Sequence, residues 1–336
     1  VIIGNLTRTL QRYFRKRFAV LYWPLSSLPE RLQATRNDDV INPRAATRVF
    51  PIRALRYWWT RCAILREMQQ RSTDTVIADV GCNRGHFKRF VGELPHLRWV
   101  GLDWRINPDA LRASGYTEWH QCDFDAVLPL PDNSADIVVF LHVIEHLPRP
   151  DFTIAELARI LRPGGVLLAG SPVAPALISH LRDWQLQRRL KSGAEQAGGH
   201  VNSMSCGRWR KLLDRVHMQI EMLTGTFLVR WSDNPLENRA SWVRLNQLWG
   251  ALFPALGGEV YLTARKPLLP RPQPASALLA PRGILIWKSA VLYACAAILL
   301  CLGAWGAWHS WLLHSSPILQ LAGAHQDGND IFYVCA

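Results

Sequence analysis

The chain has 336 residues, 49% hydrophobic and 19% charged, enough to bury a full core as one large domain or two smaller ones. Its 39 Lys and Arg exceed 26 Asp and Glu by 13, yet no aromatic-and-basic RNA module accompanies that charge, so nucleic acid is not the expected partner. Seven scattered cysteines, odd in number and without a C-x-x-C pair, suggest neither a disulfide framework nor a Cys-type zinc site.

Leu6, Leu10, Phe14, Phe18 and Tyr22 recur every four residues, with Arg8, Arg12, Arg15, Lys16 and Arg17 between them. That pattern describes an amphipathic helix lying on an anionic membrane surface, or one packed on the domain with a solvated basic face. The start is basic and has no compact apolar segment of the kind a cleavable signal needs. A second helix is expected over residues 52–70, with apolar positions 52, 55, 59, 62 and 63 and Tyr57 and Trp58 alongside, as a cap on the domain that begins near Thr75.

From Thr75 short apolar runs alternate with helical periods. TVIADVG reads as a strand, HFKRFVGEL as a helix, RWVGLDW and ADIVVFLH as strands, DFTIAELARILRPGG as a helix closed by glycines, and VLLAGSP as a strand. Continuous Val, Ile and Leu runs separated by helices indicate a parallel sheet covered on both faces. SCGRWRKLLDRV is a further helix; MQIEMLTGTF and GEVYLTARKP are strand-like. Between them ENRASWVRLNQLWGALF reads as an inserted helix with Trp242, Leu245 and Trp249 on one side. A linker with five prolines comes next, up to Pro281.

Residues 284–313 then form an unusually long apolar run. From Ser289 to Trp308 there are 20 consecutive uncharged residues, which as a helix span about 30 Å, the hydrocarbon thickness of a bilayer. All 39 basic residues lie at or before Lys288, so the part before the span carries +15 against −2 beyond it. The positive side stays in the cytoplasm, predicting a single-pass protein of the cytoplasmic membrane with residues 314–336 on the far side. The organisation expected is therefore residues 1–70 as basic helices and cap, 71–265 as the main domain, 266–283 as linker and 284–313 as a transmembrane helix.

Chemistry concentrates after the first strand. In DVGCNRGHF, residues 79–87, Gly81 and Gly85 allow a tight turn and close approach to a ligand, and the loop opens a helix where open parallel sheets bind ligands. Asp103 ends the second strand, placed to accept both hydroxyls of a ribose, and Asp123 with Phe124 could meet the edge and face of an adenine. These features alone fit a dinucleotide or S-adenosylmethionine. A dinucleotide sets its pyrophosphate on the loop, where the carboxylate of Asp79 repels it; a sulfonium and an ammonium are attracted there.

This series resembles the class I S-adenosylmethionine-dependent methyltransferases, in their small-molecule and lipid-type branch, over roughly residues 75–265. The motifs are Asp79, Gly81 and Gly85; Asp103; Asp123 and Phe124; residues 141–147 with V-x-E-H-L; and LRPGGVLL at 161–168. The resemblance implies an α/β fold with a doubly wound, mostly parallel seven-stranded sheet. It implies S-adenosyl-L-methionine as cofactor, held by Asp79, Gly81, Cys82, Asn83, Gly85, Asp103, Trp104, Asp123, Phe124 and Leu141. Asn83 stands where the family usually has Gly, but Asn tolerates positive φ, so the turn remains possible.

His142, Glu145 and His146 spell the H-x-x-E-H of inverted zinc proteases. His142, however, falls at a strand end rather than within a helix. No metal is expected, a looser metal role for Glu145 and His146 being the alternative to helix capping. His142, leaving the fourth strand, is the first candidate for a general base and His200 the second, each set against a structural role. The expected activity is methyl transfer to a membrane-associated lipid, isoprenoid or lipid-linked saccharide. A nicotinamide-dependent oxidoreductase and a non-catalytic membrane scaffold are the alternatives.

Overall fold

The computed structural model describes residues 28, 48–69, 71, 74–191, 199–226 and 235–268. They lie within one compact unit, residues 1–270. The basic stretch 6–22 and the apolar run 284–313 are outside the described residues, among which no helix is long and apolar enough to cross a membrane.

Helix α1 (Ile52–Met68) precedes β1 (Thr75–Val80), α2 (His86–Val91), β2 (Leu97–Asp103), α3 (Pro108–Ala113), β3 (Glu118–Gln121) and β4 (Ala135–Leu141). A 3-10 turn at Ile144–His146 leads to α4 (Pro150–Ile160), β5 (Leu161–Pro172), α5 (Ala176–Lys191), α6 (Cys206–Arg215), β6 (Gln219–Thr226), α7 (Ala240–Leu252) and β7 (Glu259–Arg265). The strands make one seven-stranded sheet in the order β3-β2-β1-β4-β5-β7-β6. Neighbours from β3 to β5 are parallel, whereas β7 runs antiparallel to both β5 and β6, so the sheet is mixed.

β1 is buried at every position because it is central and covered on both faces. Its alternation assigns the two cores. Val76, Ala78 and Val80 join Phe140, Ile154, Leu157 and Trp209 on the face covered by α4 and α6. Ile77 joins Trp99, Val139, Tyr261, Trp58, Trp59, Phe87 and Phe90 on the face covered by α1 and α2. Helix α1 packs on this face: Trp59 stacks on Tyr261 at 5.1 Å, and Tyr57 meets Phe87 and Phe90 at 5.4 and 5.5 Å.

Three local readings change. Helix α4 stops at Ile160 instead of running to the glycines, since Pro163 disfavours helical backbone at Arg162, and the LRPGG segment bulges into β5. The segment after β4 makes a single 3-10 turn, and the true helix begins at Pro150. In α7 the buried positions are Val243, Asn246, Gln247, Gly250 and Ala251, while Leu245 is exposed.

Two features of this topology build the site. Strand order reverses between β1 and β4, opening a crevice at their carboxyl ends. Because β7 is antiparallel, its first residue, Glu259, pairs with Pro172 and arrives at that same edge.

Candidate functional site

The loop after β1 is a short turn locked onto β2. Gly81 and Cys82 donate their N–H groups to the Leu102 carbonyl at 2.8 and 3.2 Å, and Gly85 N–H donates to Cys82 O at 2.8 Å. Gly81 has φ +90°, and a Cβ there would lie 2.3 Å from Cγ2 of Val143. Glycine is what lets this loop touch the turn after β4. Asn83 adopts φ +48°, so the residue that replaces the usual glycine keeps the left-handed backbone.

Asp103 is buried at the end of β2. It accepts from Asn83 N–H at 2.7 Å and, through its other oxygen, from Arg105 N–H at 3.1 Å. Each carboxylate oxygen retains a lone pair. The loop N–H that would meet a pyrophosphate is already committed to a carboxylate.

Around this corner lies a cavity of about 950 Å³, lined by Gly81, Asn83, Asp103, Trp104, Gln121, Cys122, Asp123, Phe124, Asp125, Leu141, His142, Val143, His146, Leu147, Pro148 and Gly199. Among the described residues three aspartates line it and neither Lys nor Arg does. Trp104 stands at the exposed rim with the Arg105 guanidinium 4.0 Å above its ring. Burial, followed by the negative charges of Asp103 and Asp123, pushes the Cys122 thiol up to about 11, so it is a neutral wall.

A second recess of about 200 Å³ shares Gly81, Asn83, Leu141 and His142 and adds Arg56, Tyr57, Asp79, Cys82, His86 and Phe87. Burial pushes the Asp79 carboxyl up to about 7, and Asp103 adds to that; the 2.5 Å hydrogen bond donated by Tyr116 Oη opposes it. Burial and the neighbouring Asp79 also raise the Cys82 thiol far out of the nucleophilic range.

Of the residues expected to hold a cofactor, Gly81, Asn83, Asp103, Trp104, Asp123, Phe124 and Leu141 line the larger cavity, and Asp79 and Cys82 the smaller recess. Gly85 lines neither. At φ +75° it ends the turn against Ser114, where a Cβ would lie 2.6 Å from Oγ. His142 lines both spaces, and its own φ is +55°. Its Nδ1 is 3.2 Å from Glu145 Oε1 and its Nε2 3.5 Å from Glu259 Oε1, so each ring nitrogen faces a buried carboxylate. Burial would raise the Glu145 carboxyl, but the hydrogen bond and charge of His142 outweigh it and hold the group below the ordinary range. His200 lines neither space; its ring meets that of His146 edge-on at 4.8 Å.

Sequence reasoning missed the partners that come from far along the chain. Glu259, fully buried, takes Arg56 Nη2 at 2.8 Å and Tyr261 Oη at 2.7 Å and faces His142. An acid before a strand and an arginine in a cap helix carry no local signal of a shared network. Tyr116 likewise comes directly after a Gly and reads as a turn residue.

Residues 78–169 match the protein family described as "Methyltransferase domain". A protein of Mycolicibacterium smegmatis named "Probable S-adenosylmethionine-dependent methyltransferase" is 32% identical over 121 residues, 34% of this chain and 46% of that one. The malonyl-[acyl-carrier protein] O-methyltransferase of Alcanivorax borkumensis is 26% identical over 182 residues, 51% of this chain and 59% of its own length. The chain thus spans about half the length of these curated relatives. Among solved structures, a SAM dependent methyltransferase from Archaeoglobus fulgidus is 17% identical with a TM-score of 0.40, over 62% of this chain and 94% of that one.

Residues 78–169 thus match a methyltransferase domain, and the relatives they resemble are named for S-adenosyl-L-methionine, the cofactor implied for this domain. The residues present fit that cofactor. A buried carboxylate ends β2 with acceptor capacity in hand, and acidic groups without a Lys or Arg among the described residues lining the cavity suit a cation better than a phosphate.

Proposed function

We propose that this protein transfers a methyl group from S-adenosyl-L-methionine to an oxygen or other nucleophile of a membrane-associated acceptor, a lipid, an isoprenoid or a lipid-linked saccharide. The observation that carries the reading is the cavity at the β1/β4 switch, with Asp103, Asp123 and Asp125 in its wall and the Asn83 N–H already bonded to Asp103. When bound, the cofactor supplies an electrophilic methyl on a sulfonium. The chain has to hold that group, align the acceptor and exclude water. Asp103 would take the ribose hydroxyls, Asp123 and Phe124 the adenine, and the turn at 81–83 with Asp79 the methionine end.

On the acceptor side His142 is the group we assign to receive a proton from a hydroxyl. Glu145 and Glu259 are placed to stabilise the imidazolium so formed. Since both nitrogens face carboxylates, the ring has to turn about its side-chain bonds to reach into the cavity. His200, packed on His146, is not given this task.

Three features support a lipid-side acceptor. The sequence carries the long apolar run at 284–313 after a basic domain. Helix α5 presents Leu177, Ile178, Leu181 and Trp184 to solvent, with Arg188 over the Trp184 ring at 4.1 Å, as an interfacial helix would. The Alcanivorax relative, named for O-methylation of a carrier-bound malonyl group, fits an oxygen acceptor. In this reading the domain works at the cytoplasmic face of the membrane. Lipids from cells with and without the protein should differ by one CH2 in at least one species; identical lipid profiles, with the protein expressed and membrane-bound, contradict the acceptor class.

A further inference from the structure

We infer that Glu145, His146 and His200 form a binding site for one divalent transition-metal ion of the zinc or iron type, at the wall of the larger cavity. Glu145 and His146 belong to the turn after β4, whereas His200 comes from the segment before α6. One ligand atom from each lies within 4.8 Å of the others. Ligand atoms around such an ion stand about 2.0–2.2 Å from it, so the set has to close by about an ångström to grip.

The juxtaposition is built. Val201 and Asn202 N–H groups both donate to the Glu145 carbonyl, at 3.0 and 3.2 Å. The Asn202 side chain, itself buried, donates to the carbonyls of Ile144 and Leu147 at 2.8 and 2.7 Å, clamping the His200 segment onto the turn. His146 Nδ1 lies 2.9 Å from the Gly199 carbonyl. A carbonyl only accepts, so Nδ1 carries the proton and Nε2 keeps its lone pair for a ligand, the orientation that metal-binding imidazoles take from their surroundings.

Glu145 adds an independent sign. Its side chain is 4% exposed, and while Oε1 engages His142, Oε2 has no hydrogen-bond partner among the described residues. A buried carboxylate oxygen without a partner is costly, and a cation satisfies it.

The donor set names the ion class. Two imidazoles and one carboxylate suit zinc, iron or a neighbour in that row, while magnesium and calcium demand mostly oxygen. Three protein ligands leave positions open. As His146 and Gly199 also line the cavity, an acceptor oxygen could occupy one and be polarised there; that role rests on the methyl-transfer reading, whereas ion binding does not.

The test uses the full-length, untagged protein, stripped with a chelator and titrated calorimetrically with Zn2+, with Co2+ as the spectroscopic probe. One Zn2+ per chain is expected, with Co2+ showing the visible bands of imidazole ligation. His200→Ala, at an exposed position, and His146→Ala should each weaken Zn2+ binding by more than about tenfold, with circular dichroism unchanged. Absence of binding by the parent chain, or unaltered affinity in either variant, overturns the site. Displacement of Zn2+ by excess Mg2+ overturns the ion class. S-adenosylmethionine titrated into the same samples separates the two readings: Zn2+ bound without the cofactor leaves the ion site standing, and the cofactor bound without Zn2+ leaves only the methyltransferase.

Discussion

The two sides of the cavity are made differently. The side proposed for the cofactor runs from Asp79 to Asp125 and is held by neighbours in sequence: Asn83 bonds Asp103 twenty residues on, and Gly81 bonds Leu102. The opposite side is assembled from distant segments. Arg56 meets Glu259 across 203 residues, and His146 meets the Gly199 carbonyl across 53. A binding loop can be written in one strand-turn-helix unit, but the proposed acceptor wall depends on how the antiparallel strand β7 and the segment before α6 are delivered to the edge.

The largest effect expected from disturbing this contrast is on stability. Arg56→Ala leaves Glu259 fully buried with its cation gone, which costs about 3 kcal/mol or more. Denaturant unfolding should show it, and a change below about 1 kcal/mol would mean that β7 is not anchored through this pair. Next comes His142→Ala, which should lower kcat by about a hundredfold while the dissociation constant for the cofactor moves less than about twofold. Equal losses in both would place His142 on the cofactor side after all.

Asp79 gives the protein a pH dependence. Its folded carboxyl is raised to about 7 from 3.8, so between those values the folded state holds a proton that the unfolded chain has released. Its contribution to the stability of the cofactor-free protein is therefore full below about 4 and is lost as pH rises through about 7, on the order of a few kcal/mol. Cofactor affinity should run the other way, rising with pH across 7 as the carboxylate becomes charged for a cationic ligand. Asp79→Asn should flatten both trends; a parent protein whose cofactor affinity is already flat from pH 6 to 8 would disconnect Asp79 from the ligand. The smallest effect is expected at the rim, where Trp104→Ala, on an exposed ring, should change cofactor affinity by no more than a few-fold.

The same contrast explains what could be read from residues alone. The central strands, the turn at 79–85, Asp103 at a strand end and the α1 cap were legible from apolar periodicity, glycine spacing and one terminal carboxylate, all local signals. Asn83 was legible too, because the backbone it needs is one that asparagine tolerates, and φ +48° bears this out. The mixed direction of β6 and β7, the place of Glu259 and the packing of His200 on His146 were not legible. Nothing in GEVYLTAR says that its strand runs backwards, and that reversal is what brings its first residue to the edge. Helix α5 escaped the periodicity reading because its apolar residues, in ALISHLRDWQLQRRLK, are interleaved with charged and polar ones without a strong helical period. The membrane run remains a statement of the sequence, lying outside the described residues.

The central claim is that the buried carboxylate at the end of β2 seats a cationic nucleoside. Calorimetric titration of S-adenosyl-L-methionine and of NAD into the full-length protein and its Asp103→Ala variant tests it most directly. Loss of two charge-assisted hydrogen bonds to ribose, each about 1.5–3 kcal/mol, predicts at least a hundredfold weaker S-adenosylmethionine binding in the variant and no tight binding of NAD to either protein. Equal S-adenosylmethionine affinity in both, or tight NAD binding by the parent chain, would contradict it.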